Sequence, residues 1–200
     1  MVGNDIVDLT DAETLPGARH PRFDLRVFAT SELEMLASSP DDEQMRWTLW
    51  SAKESAYKAA RRRSARTVFS PSRFVVHLDP TLRGFVTHER QRFAVSIQLA
   101  GPCIHAVAHG WAEDAVSVSA VRRLGEQSIT DPSRGARELA LEAIAPRLGV
   151  SRARLRIDRI NRIPRLLLDD RALPAQLSLS HHGSYAGFAC RLGAISERKH

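Results

Sequence analysis

The pattern that most constrains this chain occurs twice: an amphipathic helix is followed each time by several short strands. Apolar residues recur at helical spacing over 41–63 and again over 137–148, where Gly149 is placed to end the second helix. Alternation of apolar and polar residues predicts the strands that follow each helix. They are 93–99, 104–108 and 116–118 in the first half, and 155–160, 176–179 and 186–192 in the second. We therefore predict an α+β fold in which two related helix-plus-antiparallel-sheet units form a pseudo-twofold dimer within one chain.

A loop of turn-forming residues, 124–135, separates the two halves. We predict a first domain over 1–123 and a second over 136–200. At 200 residues, 43% of them hydrophobic, the chain is long enough to bury a self-sufficient core. Most of the net charge of +6 lies in the second half, and such a balance favours an anionic partner.

Lysine is scarce, and its positions are informative. Among the 29 basic residues, Lys53, Lys58 and Lys199 are the lysines and all others are arginines. Arginine therefore serves wherever plain positive charge is sufficient. Lys53 and Lys58 are candidates for a task that needs a compact, mobile ammonium group.

Several classes of protein are excluded by the sequence. The N-terminus lacks the basic and apolar regions of a signal peptide, and no apolar run reaches the ~18 residues of a membrane span. Cys103 and Cys190 are too few for a disulfide framework and lie at no metal-ligand spacing. We expect a cytoplasmic protein with no membrane partner. A basic nucleic-acid-binding module is an alternative that fits the charge, but we expect no nucleic-acid partner because no basic stripe is interleaved with aromatic residues.

The first candidate motif is the segment 3–9, which reads as a short strand or turn. It carries Asp5 and Asp8 among apolar residues. A carboxylate in such a setting is poorly solvated, and Mg²⁺ binds one or two carboxylates together with phosphate oxygens. The alternative is that Asp5 is an ordinary turn or helix-capping residue.

The second candidate motif lies within the first predicted helix, over 50–58. Trp50, Glu54 and Lys58 are spaced four residues apart and share one helix face. The alternative is a solvated Glu–Lys pair. The scarcity of lysine and the neighbouring aromatic ring favour a functional role.

The third candidate motif is the segment 178–185. Alternation places Ser178 and Ser180 on one face of a strand, with His181 and His182 at its end before a glycine. Hydroxyl, imidazole and backbone N–H groups there could bind a phosphate. The nucleophile-elbow spacing of a serine hydrolase is absent, and the two histidines lack a third zinc ligand. The histidines at 105 and 109 are interpreted as surface or core residues.

Taken together, the three motifs resemble the 4′-phosphopantetheinyl transferase superfamily. Its hallmarks are a Gly-x-Asp segment, a Trp-x-x-Lys-Glu-Ala/Ser-x-x-Lys helix and a strand end similar to Ser-x-Ser-His. The segments 26–28 and 31–33 also resemble the small holo-acyl-carrier-protein synthases. In the larger surfactin-synthetase-type members the histidine motif comes first, so the two halves are in swapped order here.

The resemblance implies a Mg²⁺-dependent enzyme that moves the 4′-phosphopantetheine arm of coenzyme A to a serine of an acidic apo carrier protein and releases 3′,5′-ADP. Such carrier proteins serve fatty acid, polyketide or nonribosomal peptide biosynthesis. Because one chain holds both units, we expect a monomer. A catalytically silent homologue that still binds carrier proteins is the main alternative.

The resemblance also implies roles for individual residues. Asp5 and Glu54 match the metal ligands, with Asp8 as a supporting ligand, and Glu54 and Lys58 match the catalytic pair. The residues implied in coenzyme A binding are Ser180, His181, Lys53, Lys58, Arg162 and Arg165. The arginines at 61–63 and 66 are expected to favour docking of an acidic carrier protein.

Overall fold

The computed structural model describes residues 1–113, 116–125 and 129–193. The helices are α1 (Phe23–Val27), α2 (Thr30–Ser38), α3 (Asp42–Arg63) and α4 (Pro132–Leu148). The strands are β1 (Val2–Asp8), β2 (Val75–Leu78), β3 (Arg83–His88), β4 (Gln91–Ala100), β5 (Cys103–Gly110), β6 (Val118–Arg123), β7 (Leu155–Ile160), β8 (Ile163–Leu168), β9 (Arg171–Ala172), β10 (Ala175–His182) and β11 (Tyr185–Leu192). The predicted α+β class is confirmed.

The strands form three antiparallel sheets. The first sheet has the order β1-β5-β4-β3-β2, the second β10-β11-β6, and the third β7-β8-β9. Strand β6, which lies before the predicted domain boundary at residue 123, hydrogen-bonds to β11. Sheet membership thus places β6 with the second half of the chain. The two-domain division and its pseudo-twofold symmetry stay predictions.

The ends of the two long helices follow local sequence signals. The Asp41 carboxylate accepts the N–H of Gln44 and caps α3. Gly149 ends α4 in the left-handed conformation, at φ +63°, as predicted. Helix α4 begins earlier than expected, because Asp131 caps it and proline occupies its first turn.

Helix α3 lies across the first sheet through a face of small residues. Leu49, Ala52 and Ala56 are fully buried there, as the helical spacing predicts. The approach is so close that a Cβ on Gly3 would lie 2.1 Å from the backbone oxygen of Ser55. Glycine at position 3 therefore allows β1 to lie directly against the helix.

Strand β1 is buried along its whole length because it packs against both halves of the chain. Its odd-numbered residues face α3. Its even-numbered residues face β10 and β11, where Ile6 packs against Gly187. Since side chains alternate along a strand, β1 presents one row of residues to each half.

A second core lies between α4 and the strands of the second half. Its fully buried members are Ala140, Ile144, Leu166, Leu177, Phe188 and Cys190. This core holds β10, and therefore the segment 178–182, at a fixed position next to β1. Among the described helices, none combines the length and apolar character needed to cross a membrane.

Candidate active site

Three of the predicted site residues meet where β1 crosses α3. Asp5 projects from the odd-numbered row of β1 toward the helix, and the Lys58 ammonium donates a hydrogen bond to its Oδ1 at 2.7 Å. Glu54 lies one helical turn before Lys58, on the same face. The structure thus brings Asp5, Glu54 and Lys58 together as the sequence predicts.

The electrostatics of this cluster fit a cation. Burial and the neighbouring Asp5 carboxylate raise the pKa of Glu54 to about 7, although Lys58 opposes the shift. Burial disfavours the Lys58 ammonium, but the charges of Asp5 and Glu54 outweigh it and raise the pKa of Lys58. Two carboxylates that one lysine does not fully neutralise are a donor set that suits Mg²⁺. Asp5 and Glu54 would hold it.

We expect the Glu54 shift to make stability depend on pH. Between pH 4.5 and about 7 the unfolded chain loses the Glu54 proton while the folded chain keeps it, so stability falls as pH rises through that window. Glu54→Gln mimics the protonated side chain. In EDTA, urea unfolding should show this variant more stable than the parent at about pH 8 and nearly equal to it at about pH 4, below the unfolded pKa of Glu54. Equal stability at both values would contradict the burial of an ionisable Glu54.

Asp8 does not join this cluster, which corrects its expected role as a supporting metal ligand. It lies in the even-numbered row of β1, on the strand face opposite Asp5. Its Oδ1 accepts from the backbone and hydroxyl of Thr10, and its Oδ2 accepts from the backbone N–H of Ser184 at 2.9 Å. These bonds hold the pKa of Asp8 below its ordinary value despite burial. Asp8 therefore ties β1 to the β10–β11 turn.

Lys53 is also placed differently from its expected contact with coenzyme A. Its side chain is 0% exposed, and its ammonium binds Glu32 at 2.7 Å and the backbone oxygens of Pro71 and Phe74. Glu32 additionally accepts the backbone N–H of Val76. Because all three ammonium hydrogens are used inside the core, we assign Lys53 a structural role.

A cleft opens beside Lys58 between the two halves of the chain. It encloses about 210 Å³. Its lining residues are Tyr57, Lys58, Arg61, Arg62, Arg162, Ile163, Pro164, Ser178 and Leu179. Four of these side chains are cations and none is an acid. Such a lining suits a ligand with several negative charges.

The arginines of the cleft are held by different elements. Arg162 sits at the tip of the β7–β8 hairpin at φ +66°, and it lines the cleft together with residues of α3. Arg62 is half-buried, and desolvation lowers its pKa to about 10. Arg61 stacks near Tyr57, 5.8 Å from the ring centre. Arg165 binds Asp158 at 2.5 Å and lies outside the lining, so its expected coenzyme contact stays a prediction.

The third motif lies at the edge of this cleft. Ser178 and Ser180 share one strand face, as predicted, and both hydroxyls accept hydrogen bonds from Asn4. His181 is exposed, and desolvation together with the charges of Lys58 and Arg159 lowers its pKa. Lys58 and Ser178 both line the cleft, so the second and third motifs meet there. The sequence reading missed Asn4, which alternation along β1 would have paired with the second half.

A separate group of possible metal ligands consists of Asp11, Glu13 and His182. The backbone N–H of Asp8 donates to Nδ1 of His182 at 3.0 Å. A neutral imidazole that accepts at Nδ1 carries its hydrogen on Nε2, the nitrogen that faces Glu13. That hydrogen occupies the position a metal would need, so the group is not a metal centre in this arrangement.

An acidic pair suited to Mg²⁺ and an adjacent lysine thus lie beside a cationic cleft, an arrangement suited to binding a multiply charged anion. Comparison of the sequence with models of known protein families identifies the superfamily of the chain. The family model of the 4′-phosphopantetheinyl transferase superfamily matches residues 1–109, and the chain belongs to this superfamily. The match includes Asp5, Glu54 and Lys58.

Among solved structures, the chain is similar to Thermotoga maritima holo-[acyl-carrier-protein] synthase at 13% sequence identity. The alignment covers 86% of this chain and 83% of that chain, with a TM-score of 0.36. No curated protein matches the chain.

Proposed function

We propose that this protein transfers the 4′-phosphopantetheine arm of coenzyme A to a serine hydroxyl of an apo carrier protein and releases 3′,5′-ADP. The observation that carries the proposal is the contact of the Asp5–Lys58 pair with a cleft whose charged side chains are all basic. One chain supplies both sides of this cleft, which supports a monomer with its own site.

In the proposed reaction the serine oxygen attacks the pantetheine-side phosphorus of the pyrophosphate. A new serine O–P bond forms, and the bond from that phosphorus to the bridging oxygen breaks. Glu54, one helical turn before Lys58 on α3, accepts the serine proton. Lys58 contacts the transferred phosphate and donates a proton to the leaving 3′,5′-ADP. Proton exchange with solvent restores both side chains.

Asp5 and Glu54 would hold Mg²⁺, which would supply positive charge to the pyrophosphate. Asp5 also binds the Lys58 ammonium, so the lysine is held beside the position where the phosphate must react. We assign Ser180 and His181 to the coenzyme side of the cleft, together with Arg162.

The arginines in the last turn of α3 and just after it fall into two groups, although the sequence alone would combine them in one docking patch. Arg61 and Arg62 line the cleft, whereas Arg63 and Arg66 are exposed. We infer that Arg61 and Arg62 bind coenzyme A and that Arg63 and Arg66 meet an acidic carrier protein.

This division gives matched variants. Arg62→Ser should raise KM for coenzyme A about tenfold and leave KM for the carrier protein unchanged, because a charged hydrogen bond to phosphate is lost. The double variant Arg63→Ser/Arg66→Ser should raise KM for the carrier protein and flatten its salt dependence. Steady-state kinetics with each substrate varied checks both. Equal losses for both substrates in either variant would contradict the division.

Mass spectrometry tests the function directly. Apo carrier proteins incubated with this protein, coenzyme A and Mg²⁺ should gain the mass of one phosphopantetheine group. A silent carrier-binding homologue would bind the carrier protein and leave its mass unchanged, which would overturn the proposal.

A further inference from the structure

Asn4 lies at the point where the two halves of the chain meet, one residue before Asp5. It is 0% exposed. Its backbone N–H donates to the Ser178 hydroxyl at 3.0 Å, and its side-chain Nδ2 donates to the Ser180 hydroxyl at 2.7 Å. Nδ2 also lies 3.3 Å from Nε2 of His105. A single residue thus joins the strand that carries Asp5 to the strand that carries Ser180.

The amide orientation at Asn4 is set by its neighbours. Burial lowers the pKa of His105 to about 4, so the imidazole is neutral and its Nε2 can accept one hydrogen of Nδ2. The second hydrogen of Nδ2 goes to the Ser180 oxygen. Oδ1 of Asn4 is buried without a partner among the described residues. The reversed amide would leave the two hydrogens of Nδ2 unsatisfied instead of one oxygen, which costs more.

This orientation determines which way the Ser180 hydroxyl donates. Because its oxygen already accepts from Asn4, the hydroxyl hydrogen points away from Asn4. Within the described residues the hydroxyl has no acceptor for that hydrogen. An incoming anion would supply one.

We propose that Asn4 is a positioning residue that orients the Ser180 hydroxyl to donate to a phosphate of the substrate. The inference rests on the proposed function for the identity of the substrate as coenzyme A. The arrangement itself requires only a phosphate-bearing anion.

The test is a double-mutant cycle read by binding. Dissociation constants for coenzyme A and for inorganic pyrophosphate are measured by calorimetry, in Mg²⁺, at a temperature where every variant is folded. Asn4→Ala and Ser180→Ala should each weaken binding about tenfold, and the double variant should be no weaker than either single variant, because both remove the same hydrogen bond.

Ile6→Val is the matched control. It loosens packing on the same face of β1 without touching a polar group, so it should lower Tm and leave both dissociation constants unchanged.

The outcomes separate this inference from the proposed function. If Asn4→Ala lowers Tm but leaves both dissociation constants within twofold of the parent, Asn4 is merely structural and the inference is overturned. Additive losses in the double variant would overturn it as well. If the parent binds pyrophosphate but not coenzyme A, the proposed function fails, and the cycle is decided with pyrophosphate. A parent that binds neither overturns both.

Discussion

Replacing Asp5 or Glu54 by alanine should lower turnover at saturating coenzyme A by at least about a hundredfold while the fold is kept. The two carboxylates supply the negative charge that suits Mg²⁺, and burial leaves them little other compensation than Lys58. Either variant should also lose most of its affinity for Mg²⁺, measured by calorimetry in the absence of coenzyme A.

Asp8→Asn is the control for this result. Asp8 carries the same carboxylate group as Asp5 and is three residues away, but it lies on the opposite face of β1. The control should bind Mg²⁺ like the parent and be less stable, because the asparagine loses charge-assisted hydrogen bonds to Thr10 and Ser184. Full activity of Asp5→Ala in EDTA, or loss of Mg²⁺ affinity in Asp8→Asn alone, would show that the metal assignment is wrong.

The two lysines of α3 should respond in opposite ways to the same substitution. Lys58→Arg should lose at least about nine-tenths of turnover with Tm unchanged, because a planar guanidinium cannot replace a mobile ammonium at the phosphate and leaving group. Lys53→Arg should keep its turnover when folded but lose about 1–3 kcal/mol of stability, because the larger group is forced into a site with no exposure.

Measurements of turnover and of thermal unfolding in the two arginine variants test the roles assigned to Lys58 and Lys53. A Lys58→Arg variant with the turnover of the parent would remove Lys58 from catalysis. A Lys53→Arg variant as stable as the parent would contradict the closed Lys53–Glu32 site.

Much of the fold was predictable because it depends on local periodicity. The apolar spacing of α3, the Gly149 stop and the alternation in β4, β5, β7 and β11 are properties of short segments. The strands β2 and β3 were not predicted, since they have only four and six residues, show no clear alternation and are paired with their neighbours in the first sheet. The pairing of β6 with β11 is a long-range contact, which local patterns do not encode.

The site was predictable to the same extent. Helical spacing placed Glu54 and Lys58 on one face, the apolar setting of segment 3–9 singled out Asp5, and the motif resemblance joined the three. Two roles implied by the motif resemblance do not agree with the tertiary contacts of the residues concerned. Lys53 binds Glu32 inside the core, and Asp8 lies on the face of β1 opposite Asp5. The period of two in β1 already separates Asp5 from Asp8, so this correction was available from the sequence once the segment was taken as a strand.

The double-sided burial of β1 has a consequence for how the protein is made. The contact between Asn4 and Ser178 spans 174 residues of chain, so the ribosome synthesises the Asp5 strand long before its partner strand exists. Until β10 has been synthesised, the even-numbered row of β1 has no partner strand, and the exposed Ile6 side chain can associate with other chains. The nascent chain therefore gains the Asp5, Glu54 and Lys58 cluster early and the cleft between the halves late, and a chain arrested before residue 178 has only one side of that cleft.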